Sequence, residues 1–219
     1  STPMVAFHEH NETQKSAGLI EELHEGAAIA LISDAGTPLI SDPGFKLVRA
    51  AADAGISVFS VPGPSAVTSA LSIGGIPSDR FMFEGFLPAK RSSRLKRLQA
   101  LALETSTLVF FESSHRIKAS VADMCEALGS GREAALCREL TKKFETVNRG
   151  ALGTLCEVLE TDADQCRGEF VVLVAGSEEE SVLDGLELAL ALREFIPASQ
   201  AARVAARITH GSRREIYQA

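Results

Sequence analysis

Residues 31–45 read LISDAGTPLISDPGF, in which the pattern Ser-Asp-(Ala/Pro) occurs twice, eight residues apart and each time close to a glycine. The stretch joins the apolar run AIALIS (28–33) to FKLVRAAADAG (45–55), which has the pattern of a helix. In an open α/β sheet, ligands bind outside the carboxyl ends of strands, and SDAGTP stands where such a loop is expected. Gly36 lets the backbone pass close to a ligand, and Asp34 offers a carboxylate to a hydroxyl or a cation. The second turn reads as a helix start, with Asp42 as cap and Pro43 at the first helical position. Taken alone, SDAGTP is read equally well as an ordinary strand-to-helix turn. VPGPSAVTSAL (61–71) shifts that balance, because it sets Pro and Gly at the end of a second apolar run and follows them with small, helix-packing residues.

Outward from this stretch, strand-length apolar runs alternate with helical patterns. AIALIS, SVFSVP (57–62), TLVFFES (107–113), AALCREL (134–140) and EFVVLVAG (169–176) lack a polar alternation, as strands of a parallel sheet buried on both faces do. Helices are expected over 16–25, 45–54 and 117–128, the last with Ile117, Val121, Met124 and Leu128 on one face. This βαβα order predicts α/β layers with right-handed crossovers. A Gly/Pro-rich seam, GGIPSDRFMFEGFLP (74–88), divides the chain into two expected α/β domains, 1–79 and 80–219. From about 186 the second carries a helical tail, broken at Ile196-Pro197 and at 209–212.

Of the 219 residues 45% are hydrophobic, which suffices for a substantial core, and the net charge of −7 argues against indiscriminate coating of nucleic acid. The four cysteines have no metal-ligand or redox spacing and read as reduced thiols. No apolar run reaches the ~20 residues that span a bilayer, so a cytoplasmic protein with no membrane partner is expected. The fingerprints of dinucleotide enzymes, P-loop NTPases and α/β-hydrolases are all missing.

HEHNE (8–12), LISDAGTPLISDPG, VPGPSA, FEGFLP (83–88), FFESSHR (110–116), RELTKKFE (138–145) and SRREIYQ (212–218), in this order, closely resemble the ribosomal RNA small-subunit methyltransferase I family of the tetrapyrrole methylase superfamily. The resemblance implies two α/β domains with S-adenosylmethionine in the cleft between them, and a short helical C-terminal extension. It further implies 2′-O-methylation of a cytidine in the decoding region of 16S rRNA on the small ribosomal subunit, by a homodimer. Carried over residue by residue, Ser33, Asp34, Ala35 and Gly36 fall on the loop approaching the methionine part of the cofactor. Pro64, Ser65 and Ala66 fall on a second wall, Glu112 and Ser113 face the cleft from the other domain, and Gly168, Glu169 and Phe170 line the adenine side. The family's opening strand, Pro-Ile-Gly turn and Asp-Thr-Arg region do not precede HEHNE here, so the chain is expected to be an N-terminally shortened version that keeps the fold and binds the cofactor weakly or not at all.

A ribose 2′-hydroxyl is a poor nucleophile that must be held in line and relieved of its proton. Glu112, Glu139 and Lys142 are the candidates for base or orienter, with core or salt-bridge roles equally open to each. In LPAKRSSRLKRL (87–98), Lys90, Arg91, Arg94, Lys96 and Arg97 stand without acids and form a candidate phosphate patch, joined by His115 and Arg116; a solvated helix face is the alternative. His8-Glu9-His10 has no obvious third metal ligand, leaving a substrate-side contact or a surface turn, and no metal is expected. The segment 199–218 resembles a small helix-turn-helix that either touches rRNA or packs as a tail. Two rivals remain, a methylase of tetrapyrrole intermediates and a non-catalytic ribosome-binding module. The basic 87–98 arm, and SDAGTP where tetrapyrrole enzymes tend to carry Gly-Asp-Pro, favour RNA.

Overall fold

The computed structural model describes residues 2–178, 185–209 and 212–218. The chain divides into two compact units, Ser1–Gly176 and Ser177–Ala219. The first begins with three helices, α1 (Glu12–His24), α2 (Phe45–Asp53) and α3 (Ala66–Gly74). A five-stranded sheet follows, made of β1 (Phe81–Phe86), β2 (Thr107–Ser113), β3 (Glu133–Arg138), β4 (Thr146–Ala151) and β5 (Glu169–Val174), with α4 (Arg91–Ala100), α5 (Ile117–Leu128) and α6 (Leu152–Thr161) between strands. The spatial order is β1-β2-β5-β3-β4.

Side chains alternate between the two faces of each central strand. Phe170, Val172 and Val174 of β5 join Leu108, Phe110 and Leu136 in a core closed by Leu98 of α4, Ile117, Val121 and Met124 of α5, and Leu152 and Leu155 of α6. Val171 and Leu173 turn the other way, with Val109, Ala135 and Cys137, against Val67 and Ala70 of α3. Burial on both faces is why these strands read as unbroken apolar runs. Their direction differs from the expected parallel sheet: only β1 and β2 run parallel, while β2/β5, β3/β5 and β3/β4 are antiparallel. The apolar pattern reports burial on two faces and is silent about direction.

AIALIS and SVFSVP, expected as strands, enter no ladder among the described residues. Without hydrogen-bonded neighbours their side chains stay in solvent; Ile32, Phe59 and Val61 are 70%, 85% and 88% exposed. The start of α2 also differs from expectation. Asp42 makes no cap, and Gly44 stands at the N-cap position. The buried carboxylate of Glu12 in α1 accepts instead from Gly44 N–H and Lys46 N–H, each at 3.0 Å, which satisfies both donors and ties α1 to α2.

In the second unit lie α7 (Gly185–Leu192), α8 (Ala198–Thr209) and α9 (Arg213–Gln218), with Ile196-Pro197 between the first two and Ser212 outside any helix; the expected break at 209–212 falls partly on His210 and Gly211, which lie outside the described residues. Ala201, Ala202 and Ala205 of α8 are buried, whereas Arg203, Arg207 and Arg214 are exposed. No helix among the described residues is long and apolar enough to cross a membrane.

Candidate functional site

A cleft of about 370 Å3 opens within the first unit. One wall is the 35–42 stretch together with Pro64, Ser65 and Ala66 at the start of α3. The other is the row of strand ends: Phe86, then Phe111 to Ser113, Leu140 to Lys142, and Glu169 to Val171, over Cys137. The two turns that framed the sequence reading are tied together here, since Thr37 Oγ1 donates to Pro64 O at 2.8 Å. Gly36 has a left-handed φ of 79°, and a Cβ added there would find no atom nearer than Pro64 O at 4.0 Å.

Strained backbone gathers around this cleft. Among the described residues four non-glycines have positive φ: Leu39 (72°) and Ser41 (58°) in the 35–42 stretch, Glu139 (50°) and Thr141 (65°) just after β3, and of these Ser41 and Thr141 line the cleft. Such conformations cost of order 1–3 kcal/mol each, persist only where surroundings impose them, and collect at functional sites.

Of the residues singled out from the sequence, Ala35, Gly36, Pro64, Ser65, Ala66, Glu112, Ser113, Lys142, Glu169 and Phe170 line the cleft. Ser33, Asp34, Glu139 and Gly168 do not. Ser33 Oγ closes a local turn with Ala35 N and Ala35 O. Gly168 makes room for Glu139, whose Cγ would lie 2.5 Å from a Cβ at that position.

The three proton-transfer candidates are all engaged. The Glu112 carboxylate, 1% exposed, accepts from Ser113 N–H at 2.8 Å, Ser120 Oγ at 2.5 Å and Arg116 Nη2 at 3.2 Å. Arg116 in turn donates to Leu87 O, so the end of β2 is fastened to the loop after β1. Lys142 Nζ donates to Glu139 and to Glu169, both at 2.8 Å, and Glu139 Oε1 also accepts from Glu169 N–H. The hydrogen bonds to Glu139 and then Glu169 raise the Lys142 pKa, and those from Lys142 and then the Glu169 backbone lower that of Glu139. The stability carried by the depressed carboxylate is lost as pH falls through its folded pKa, and that carried by the raised ammonium is lost as pH rises through its own. The clamp is therefore intact and charged across the neutral range, with Lys142 a cation rather than a base.

Burial pushes the Cys137 thiol up to about 11, so it is a spectator on the cleft floor. Its alkylation by iodoacetamide, followed by mass spectrometry, is expected to be negligible at pH 7 and to rise about tenfold per pH unit toward that value.

The basic arm is mostly neutralised. Arg94 is 4% exposed and donates to Asp123 at 2.6 Å, so it cannot reach phosphate without leaving a buried carboxylate unpaired. Arg91 contacts Asp123 and Glu126, and Arg97 makes two hydrogen bonds to Glu84. Lys90, Lys96 and His115 are exposed and have no charged partner among the described residues. His8 and His10 are exposed; the His8-Asn11 turn is closed by a 2.9 Å hydrogen bond, and no cluster of three or more potential metal ligands occurs among the described residues.

Thr37, Ile40, Ser41, Phe86, Phe111 and Thr141 also line the cleft and were not marked by sequence reasoning, and so does Asp42, which was read only as a helix cap. The motif FEGFLP held the signal for Phe86. FFESSHR held it for Phe111, which lies in β2. Thr37, Ile40, Ser41 and Thr141 sit in loops with left-handed residues that local sequence does not announce.

Residues 2–156 match the family described as Tetrapyrrole (Corrin/Porphyrin) Methylases, and residues 184–219 match the RsmI C-terminal HTH domain. The chain is 50% identical over 218 residues to the ribosomal RNA small subunit methyltransferase I of Xylella fastidiosa (strain Temecula1), covering 98% of this chain and 80% of that protein. It is 49% identical over 222 residues to the protein of that name from Pseudomonas aeruginosa, covering 99% and 79%. Its fold is that of the uroporphyrin-III C-methyl transferase from Thermus thermophilus solved with S-adenyl homocysteine (TM-score 0.51, 14% identity, 75% of this chain and 73% of that one). On this combined evidence the chain belongs to the tetrapyrrole methylase family and, within it, to the ribosomal RNA small subunit methyltransferase I family.

Proposed function

We propose that this protein transfers a methyl group from S-adenosylmethionine to the 2′-oxygen of a cytidine in the decoding region of 16S rRNA, acting on the small ribosomal subunit in the cytoplasm as a homodimer. The observation that carries the reading is the cleft, in which the loops 35–37 and 64–66 face the ends of β2 and β5. Its residues fit the cofactor. The volume lies within the ~300–1,000 Å3 of small-molecule sites, the space beside Gly36 is open, and the lining joins apolar Phe170 and Val171 to the polar Ser65, Ser113 and Glu169. When bound, the cofactor supplies a methyl group on a sulfonium, already activated for transfer.

The protein's own contribution is position and charge. Glu112 holds Ser113 and Arg116 in place, and both of its carboxylate oxygens already accept hydrogen bonds from the protein. Lys142, a cation between Glu139 and Glu169, lowers the cost of negative charge developing on a hydroxyl oxygen at the cleft. We retain the division into 1–79 and 80–219 as the proposal for how the two walls arise.

Incubation with labelled S-adenosylmethionine and small subunits lacking the modification tests the function directly: label is expected in 16S rRNA, and rRNA left unlabelled while uroporphyrinogen or another tetrapyrrole accepts the methyl group would overturn the reading. The revised phosphate patch has its own test. Lys90→Ala with Lys96→Ala is expected to weaken RNA binding irrespective of sequence and to flatten its salt dependence by roughly 0.7–0.9 per lost contact. An unchanged salt slope would make the arm a solvated face.

A further inference from the structure

We infer that Phe86, backed by Phe111, is the stacking platform for the target nucleobase, a subsite separate from that of the cofactor. The inference rests on the function proposed above and adds the residue that receives the base. Phe86 closes β1 and lines the cleft with 54% of its surface exposed. Its ring meets Phe111 edge to face at 5.7 Å, and Phe111 meets Phe83 edge to face at 4.9 Å. Phe86 is thus part of a three-ring cluster while over half of it stays exposed. A large apolar side chain exposed at a cleft mouth gains from being covered, and an aromatic ring does so best with another flat ring.

The place of Phe86 in the sheet separates base from cofactor. Helix α3, which starts from Pro64–Ala66, packs on β3 and β5 through Val67 and Ala70, so the cofactor wall lies over the middle of the sheet. Phe86 is on the edge strand β1, with β2 between it and β5. Two strand spacings are roughly 10 Å, which is about the length of a nucleoside. Lys90, which has no charged partner among the described residues, follows Phe86 by four residues, and the imidazole of His115 follows the end of β2 by two. An open aromatic ring with a lysine a few residues on is the chemistry of an extruded nucleotide, its base stacked and a flanking phosphate neutralised.

The test compares Phe86→Ala, Phe86→Trp and wild type, using small subunits lacking the modification as substrate and S-adenosylhomocysteine as calorimetric probe. Because Phe86 is half exposed, unchanged circular dichroism is expected for both variants. Phe86→Ala is expected to lower kcat/KM for small subunits roughly 5- to 150-fold, the range of one lost base stack. It should leave S-adenosylhomocysteine affinity within twofold, and Phe86→Trp should restore most of the loss. A parallel fall in S-adenosylhomocysteine affinity would overturn the platform by making Phe86 an adenine contact. Unaltered kcat/KM in Phe86→Ala would overturn it by making the rings simple packing. Wild-type protein that methylates no rRNA would instead overturn the function on which the platform rests, so the two failures are distinguishable.

Discussion

Gly36→Val is expected to abolish measurable cofactor binding. Gly36 sits at φ 79°, where a β-branched residue is strongly disfavoured, and the nearest atom to an added Cβ is Pro64 O at 4.0 Å. The substitution therefore acts in two ways: it strains the 35–37 loop, and any branched side chain that the loop tolerates projects into free space of the cleft. Calorimetric titration with S-adenosylhomocysteine should show affinity lowered by more than about a hundredfold, because strain of ~1–3 kcal/mol adds to the steric loss. Circular dichroism should show the helices retained, since the Gly36 loop belongs to neither hydrophobic core. Unchanged affinity would remove SDAGTP from the site.

The second large effect concerns the fold. Asp123 on α5 receives Arg94 at 2.6 Å and Arg91 at 3.0 Å, with the Asp123 and Arg94 side chains only 4% and 5% exposed. Removing one partner of a buried pair leaves an uncompensated charge and costs about 3–5 kcal/mol. Asp123→Ala is accordingly expected to lower the melting temperature by roughly 6–20 °C, measured by thermal unfolding. Glu126→Ala, which removes only the exposed contact to Arg91, should cost under about 1 kcal/mol. Equal effects from the two would show that burial of the Arg94 pair contributes little.

Much of this architecture is legible in the sequence, and the exceptions have identifiable causes. TLVFFES and the helix 117–128 were located to the residue, because unbroken β-branched and aromatic runs and a 3.6-residue apolar period are local signals. Strand β4, TVNRGA, was missed: as an edge strand it carries Asn148 and Arg149 and has no apolar face to reveal it. Strand β1 was hidden in a Gly/Pro-rich seam, and its ladder shifts register between Phe83 and Gly85. Strand direction was illegible, since an antiparallel sheet covered on both faces has the same apolar pattern as a parallel one.

The site divides along the same line. Its loops were visible as Gly and Pro at the ends of apolar runs, and Gly36, Pro64 and Ser113 indeed line the cleft. The tie from Glu169 to Lys142 and Glu139 was not visible, because Glu169 reaches them across 27 to 30 residues of chain and only through tertiary structure. Nor does a run of five cations show which one faces inward. Arg94 is buried because its partner Asp123 lies on a helix 29 residues away.

The position of the methyl group on the RNA tests the central claim most directly. A 2′-O-methyl group blocks alkaline cleavage of the phosphodiester that follows it, because the neighbouring hydroxyl needed for that cleavage is gone. After reaction with labelled S-adenosylmethionine, the 16S rRNA is hydrolysed in alkali and its products are separated by size and sequenced. The account predicts label in an alkali-stable dinucleotide whose first residue is a cytidine of the decoding region. Label released as a mononucleotide would mean methylation of a base, and would contradict it.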